Sequence, residues 1–316
     1  MGEKKVSIIM ATYNRAHFIV ETLLAIQNQS YQNWECLIVD DGGKDDTAKL
    51  IAPILSKDRR FVFSKRPSSY GKGLPGCRNY GLDKANGDFI IFFDDDDIPH
   101  PQNLELCVSE LRNSVFQFCR YQRVVFRGDF NYKFDDKKNF GKFEFTQNDL
   151  SKMIDHSIPF NSCAIMWSRN CFDGIRFNES LMYAEEWECY SRILSREIKG
   201  VSIDKILFYG RKHPNSNTGE FWNNNPVRLN SKKNAIRLIT KHLTEEHLLS
   251  SYLFNYLTSL ALSFRDKKLL NDLINIANPK VSKRVFIQFK YSVYPVWMRY
   301  KKLNKKLNQA VNPKNV

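Results

Sequence analysis

The chain has 316 residues, of which 42% are hydrophobic and 13% aromatic, and its formal net charge is +14. That composition suits a globular protein with a sizeable core and excludes a disordered one. No apolar run approaches the length of a membrane span, and "MGEKKVSIIM" lacks the apolar stretch of a signal peptide. The charge is concentrated near one end: beyond Asp272 there is no acidic residue, and ten Lys and Arg fall within residues 273–316. The seven cysteines show no CxxC spacing and no His at zinc-ligand distance, so they read as reduced thiols of a cytoplasmic protein.

The first apolar run, "VSIIMA" (6–11), has no polar alternation and predicts a strand buried on both faces, ending in "TYNR". A helix is predicted over 17–28, then a strand "WECLIVD" (34–40) closed by "DDGGKDDT", a helix over 46–56 and a strand "RRFVFS" (59–64). A glycine-rich loop (70–76) leads into a helix over 77–86, and "DFIIFF" (88–93) reads as the fourth strand. This alternation argues an α/β fold with a parallel sheet, in which ligands bind at the carboxyl ends of the strands. Beyond residue 100 the spacing predicts a helix at 104–113, a strand at 114–127, a polar hairpin or excursion over 128–150, a strand at 162–168 and a helix at 183–197. A further strand near 201 runs into a loop, and from about 226 the pattern is helical.

Two motifs compete for attention. "GKGLPG" (71–76) satisfies G-x-G-x-x-G literally, but it does not follow the first strand, as a dinucleotide-binding turn must. "FFDDDD" (92–97) ends a buried strand, where a ligand crevice belongs. In extended geometry Asp94 and Asp96 share a face. Paired carboxylates there suit Mg2+ or Mn2+ with positions left open for phosphate oxygens. Asp95 and Asp97 face elsewhere, Asp95 toward a sugar hydroxyl and Asp97 equally toward capping the helix that follows.

With "VSIIMATYNRAHF", "LIVDDGGKDDT" and "GLPGCRNYGLDKANGDFIIFFDDDD" in this order, the chain resembles glycosyltransferase family 2, an inverting family of GT-A fold. The resemblance is close over residues 5–113 and looser to about 218. It implies a GT-A domain over 1–222, with a nucleotide-binding part at 1–113 and an acceptor-side part at 114–222, followed by a helical region at 223–316. The implied activity is metal-dependent inverting transfer of a sugar from a nucleoside-diphosphate sugar, UDP-linked by preference, to a glycan or lipid-linked acceptor. Cell-surface polysaccharide, including lipopolysaccharide, is the implied product. Thr12, Tyr13 and Arg15 would meet the nucleotide, Asp41 would accept a hydrogen bond from uracil, and Arg78 would lie near the diphosphate. Asp96 would ligate Mn2+ or Mg2+. Asp94 would share the metal or, like Asp95, hold the ribose, a one-residue register that the motif leaves open.

In "AEEWECYSR" (184–192) the resemblance makes Glu186 the base that deprotonates the acceptor hydroxyl, with Glu185 as the alternative and Trp187 under the acceptor sugar or in the core. In "GRKHPNSNT" (210–218) His213 would ligate the metal or contact the diphosphate, and Arg211 would neutralise phosphate. Residues 281–308 interleave aromatics with Lys and Arg. They suit peripheral association with the inner face of the plasma membrane, against a packed final helix and, least favoured, a nucleic-acid contact. The rival to an enzyme is a catalytically inactive GT-A-like module that docks a membrane or nucleic acid through this tail.

Overall fold

Runs of β-branched and aromatic residues without polar alternation are stable only when both strand faces are covered. Three such runs and a part-exposed edge strand build one half of the sheet in the computed structural model, which describes residues 2–213, 216–294 and 300. They are β1 (Val6–Thr12), β2 (Trp34–Asp40), the edge strand β3 (Phe61–Lys65) and β4 (Phe89–Asp94), and every residue of β2 is buried. The crossovers are α1 (Ile19–Gln27), α2 (Thr47–Lys57) and α3 (Leu74–Lys84). β1 pairs in parallel with both β2 and β4, and β2 with β3. These elements match the expected ones to within three residues at each boundary.

The second half is less regular. It comprises β5 (Ile98–Pro99), α4 (Asn103–Leu111), β6 (Phe118–Phe126), β7 (Lys142–Phe145), α5 (Leu150–Ile154), β8 (Ile165–Ser168), α6 (Glu185–Leu194) and β9 (Gly200–Arg211). The sheet runs β3-β2-β1-β4-β8-β6-β9-β5, with β7 pairing β9 off that path. The long ladders are parallel, and the short ones through β8, β5 and β7 are antiparallel. The polar excursion at 128–150 contributes β7 to the edge of β9 rather than a local hairpin. Residues 162–164 form a 3-10 turn before the strand begins.

Register places the chemistry. Thr12 lies opposite Asp40, and Ala11 opposite Asp94, so the ends of β1, β2 and β4 meet at one edge. Ile98 pairs with Tyr209, which carries the end of β9 to the aspartate turn. α3 sits directly on β1 because residue 81 is glycine: a Cβ there would stand 2.4 Å from Ile9 Cγ2.

Two compact units divide the chain, residues 1–235 and 236–316, with the break inside α8 (Pro226–Glu245). Ahead of α8, α7 covers Asn217–Trp222. The second unit contains α9 (Ser251–Ser263) and α10 (Lys267–Ala277), whose first turns are capped by Ser250 and Asp266 side chains accepting from the backbone. A last helix covers 281–294, with Ile287 buried and Val285, Phe286 and Phe289 exposed. The remainder of the basic stretch, including Trp297 and residues 301–308, lies outside the described residues. Among the described residues no helix is long and apolar enough to cross a membrane. All seven cysteines are buried and unbridged.

Candidate active site

β4 stops at Asp94, and residues 95–96 turn. Extended alternation therefore ends one residue too early to place Asp94 and Asp96 on one strand face, and each aspartate acquires its own surroundings. Asp96 Oδ2 lies 2.8 Å from His213 Nε2. Asp97 Oδ1 accepts from the Arg211 backbone N at 2.7 Å and Oδ2 from Arg123 Nη2 at 3.3 Å. Asp97 is thus a buried tie between β4 and β9 and not a helix cap, the N-cap of α4 being Gln102. Asp95 is buried beside Arg15, whose Nε is 3.3 Å from Oδ1. Burial pushes its carboxyl up to about 7, against the opposing pull of Arg15. Asp95 Oδ2 and Thr12 Oγ1 are buried without a well-formed hydrogen bond, although the Thr12 hydroxyl stands close enough to pull the Asp95 carboxyl down; a ligand hydroxyl would complete the pair.

Two groups of side chains have the donors for a cation. Asp94, Asp97 and Cys163 bring one potential ligand atom each to within 4.8 Å of one another. Burial drives the Cys163 thiol far up, so it stays protonated and suits a hard cation poorly. Asp96 with His213 offers a carboxylate and an imidazole in contact, which fits Mn2+ or Mg2+ better. The Asp94 side chain, 38% exposed, stands at the mouth of the same turn.

Along the nucleotide edge, Tyr13 presents an exposed ring with Lys72 Nζ 5.3 Å from its centroid. Asp41 accepts from Arg66 Nε at 2.6 Å and from the Gly73 backbone N at 3.0 and 3.1 Å. Gly73, at φ +113°, opens α3 in a conformation that disfavours side chains, so Asp41 pins the glycine-rich loop. Arg211 is tied into the aspartate turn. Its Nε donates to the Asp96 carbonyl at 3.0 Å, and its Nη groups reach Gly128 O and Glu21. These bonds brace the turn and use three of the five N–H donors of the guanidinium.

The acid pair opens α6. Ala184, the N-cap, is left-handed at φ +63°, a strained conformation for a residue with a Cβ. Glu185 Oε1 accepts from Arg78 Nη1 at 2.9 Å, and Arg78 Nη2 lies 3.5 Å from Asp94 Oδ1. One buried guanidinium, between the rings of Phe92 and Phe177, thus joins the end of β4 to the start of α6. Burial and then the adjacent Glu186 push Glu185 up to about 8, with Arg78 opposing. Burial alone would lower Arg78, but the Glu185 and Asp94 carboxylates hold it above its ordinary value. Glu186 is only partly buried. Trp187 is in the core, its Nε1 donating to Ile154 O at 3.2 Å, while Lys232 Nζ stands 3.6 Å from its ring centroid.

Sequence reasoning missed Lys232, Arg123, Arg66 and the Asn79–Glu179 tie, in which Asn79 Nδ2 donates to Glu179 Oε1 at 2.8 Å. Of these only Asn79 lies in a quoted motif, and nothing there marks its partner. Each reaches the site across long chain separations that no local pattern encodes.

The model of the family described as "Glycosyl transferase family 2" matches residues 7–172, more than half of the chain. The chain belongs to glycosyl transferase family 2. It is 30% identical over 274 residues to UDP-Glc:alpha-D-GlcNAc-diphosphoundecaprenol beta-1,3-glucosyltransferase WfaP of Escherichia coli, covering 83% of this chain and 98% of that one. An uncharacterized glycosyltransferase of Rickettsia bellii is 29% identical over 209 residues, which are 66% of this chain but only 29% of that protein. The chain thus spans less than a third of that larger relative. Among solved structures, Staphylococcus aureus TarS 1–349 in complex with UDP superposes with a TM-score of 0.67 at 19% identity, over 97% of this chain and 92% of that one. Mannosyltransferase PcManGT of Pyrobaculum calidifontis, in complex with GDP-Man and Mn2+, superposes with a TM-score of 0.56 at 13% identity, over 99% and 89%. At these identities the likeness is one of fold, the GT-A fold.

Proposed function

We propose that this family 2 protein transfers a sugar from a UDP-sugar, with inversion, to a sugar carried on a lipid diphosphate. The observation that carries the reading is the Arg78 bridge, which links the aspartate turn after β4 to the acid pair of α6. Donor-side and acceptor-side carboxylates are therefore held by one guanidinium, the proximity that a displacement at an anomeric carbon requires. The Escherichia coli relatives named as UDP-Glc:alpha-D-GlcNAc-diphosphoundecaprenol glucosyltransferases support the donor and the acceptor class. The TarS structures with UDP and UDP-GlcNAc support the nucleotide.

In this reading Tyr13 stacks on the base, Asp41 accepts from uracil through its remaining lone pair, and Thr12 and Asp95 receive the ribose hydroxyls. Asp96 and His213, which are in contact, would hold a divalent cation that neutralises the departing diphosphate. Glu186 takes the proton of the acceptor hydroxyl. As that oxygen bonds to the anomeric carbon, the bond to the diphosphate breaks and its electron pair leaves with UDP. Glu185, pushed up to about 8 and tied to Arg78, is mostly protonated near neutral pH. It is therefore the poorer base, and it orients its neighbour.

The test is a panel of nucleotide sugars with Mn2+, scored by UDP release in the presence and absence of EDTA. Turnover of a UDP-sugar that EDTA abolishes, and that Glu186→Gln lowers by about 10²- to 10⁴-fold with UDP binding intact, is the expected result. No turnover of any nucleotide sugar, or full activity in Glu186→Gln, would overturn the reading.

The basic C-terminal stretch fits the same scheme, placing the protein at an anionic membrane surface where a lipid-linked acceptor resides. The exposed Phe286 and Phe289 of the helix at 281–294 supply apolar anchors beside Lys283 and Lys290. Sedimentation with phosphatidylglycerol vesicles should be lost on truncation after residue 279. Equal sedimentation of the truncated protein would refute the anchoring.

A further inference from the structure

Lys232 is a cation without a carboxylate partner at ion-pairing distance among the described residues. Its ammonium stands 3.6 Å from the Trp187 ring centroid, one residue from the proposed base Glu186. This placement is built. Ser231, buried beside it on α8, accepts from the backbone N of Met182 and of Tyr183, both at 2.9 Å, and donates to Tyr183 O at 2.8 Å. Arg228, one helical turn earlier, bonds Glu220 at 2.8 Å and also reaches Met182 O. The start of α8 is therefore latched to the loop that leads into α6. On the far side, His156, left-handed at φ +62°, tilts its ring against Trp187 at 5.3 Å. Burial, then the charge of Lys232, hold that imidazole down at about 4, so it is neutral and adds no second cation. Burial also pulls the Lys232 ammonium down to about 8, against the upward influence of Glu186. A thinly solvated ammonium on an aromatic face gains more from an anion than one in water does.

From this geometry we infer that Lys232, over the Trp187 face beside Glu186, is the residue that binds the phosphate of the acceptor and so selects sugars linked to phosphate over neutral glycosides. The inference rests on the proposed transfer to a lipid-diphosphate acceptor. The acceptor hydroxyl must lie at Glu186 during attack, and its anomeric phosphate stands across a single pyranose ring from that hydroxyl. A cation on the neighbouring aromatic ring lies within that span, whereas Arg211 and Arg78 are already paired with carboxylates, Arg211 with Glu21 and Arg78 with Glu185 and Asp94.

The experiment is calorimetric titration of the UDP-saturated full chain with N-acetylglucosamine 1-phosphate and, separately, with methyl α-N-acetylglucosaminide. Wild type should bind the phosphate about 10- to 100-fold more tightly than the neutral glycoside. Lys232→Met should erase that difference while leaving the affinity for the glycoside unchanged, and Lys232→Arg should restore most of it. Equal affinity of wild type for the two probes, or an undiminished preference in Lys232→Met, overturns the assignment. UDP release by wild type from a UDP-sugar reports on the transfer reading separately, so loss of one does not imply loss of the other.

Discussion

Replacement of Arg78 by Met tests the electrostatics of the acid pair. The guanidinium is buried, 2.9 Å from Glu185 and 3.5 Å from Asp94, between Phe92 and Phe177. Met keeps the apolar contacts and deletes the charge. Glu185 sits near 8 when folded against 4.5 as its ordinary value, so the folded protein binds its proton more tightly than the unfolded chain does. Stability from this group is fully present below about pH 4.5 and declines as pH rises toward 8, by about 1.4 kcal/mol per unit. Removing Arg78 takes away the largest influence that lowers Glu185, so its folded value rises further. Below about pH 8 both proteins hold Glu185 protonated, and the variant loses the hydrogen bond to Glu185 and the part-exposed ionic contact with Asp94, together about 2 kcal/mol. Above about pH 8 wild type begins to release the proton and the variant does not, so the gap widens toward about 1.4 kcal/mol per further unit. Urea denaturation of both proteins from about pH 5 to about pH 9.5 reads this as a difference in midpoint at constant m. A gap that already widens between about pH 5 and pH 6.5 would mean that Glu185 is ionised beside Arg78 and competes with Glu186 as base. A gap flat to about pH 9.5 would reduce Arg78 to packing.

Ala184→Gly relieves the left-handed strain ahead of the acid pair. It should stabilise the fold by up to about 1 kcal/mol in thermal denaturation, and a lowered melting temperature would show that the Ala184 methyl contributes more in contacts than it costs in strain. Gly81→Ala gains helix propensity of about 1 kcal/mol but drives a Cβ to 2.4 Å from Ile9 Cγ2, so a net loss of about 1–2 kcal/mol is expected in urea, and a gain would refute the close approach of α3 to β1. Asp96→Asn should weaken Mn2+ binding by at least about tenfold in calorimetry, while Cys163→Ala should leave it unchanged; the reverse pattern would move the cation to the Asp94, Asp97 and Cys163 group.

The chain's local chemistry already contained the scaffold. "VSIIMA", "WECLIVD" and "DFIIFF" are apolar at every register, which only a doubly covered strand satisfies, and the helical spacing between them dictates parallel crossovers. Placing the aspartates, the "TYNR" turn and the "EEW" pair at element ends was equally legible, because strand ends and helix starts are signalled locally. What no local signal carries is where a side chain goes after the chain turns. The arrest of β4 at Asp94 sends Asp96 to His213 and Asp97 to Arg211 and Arg123, although all four aspartates look alike in the sequence. Nothing near Arg211 in the sequence foretells that its guanidinium bonds Asp96 O, Gly128 and Glu21. Lys232 sits in an ordinary amphipathic helix, and only the latch of Ser231 on Tyr183 sets it over Trp187. Burial and charge partners are properties of packing across the whole fold, and they decide which carboxylate is protonated and which cation has a carboxylate beside it.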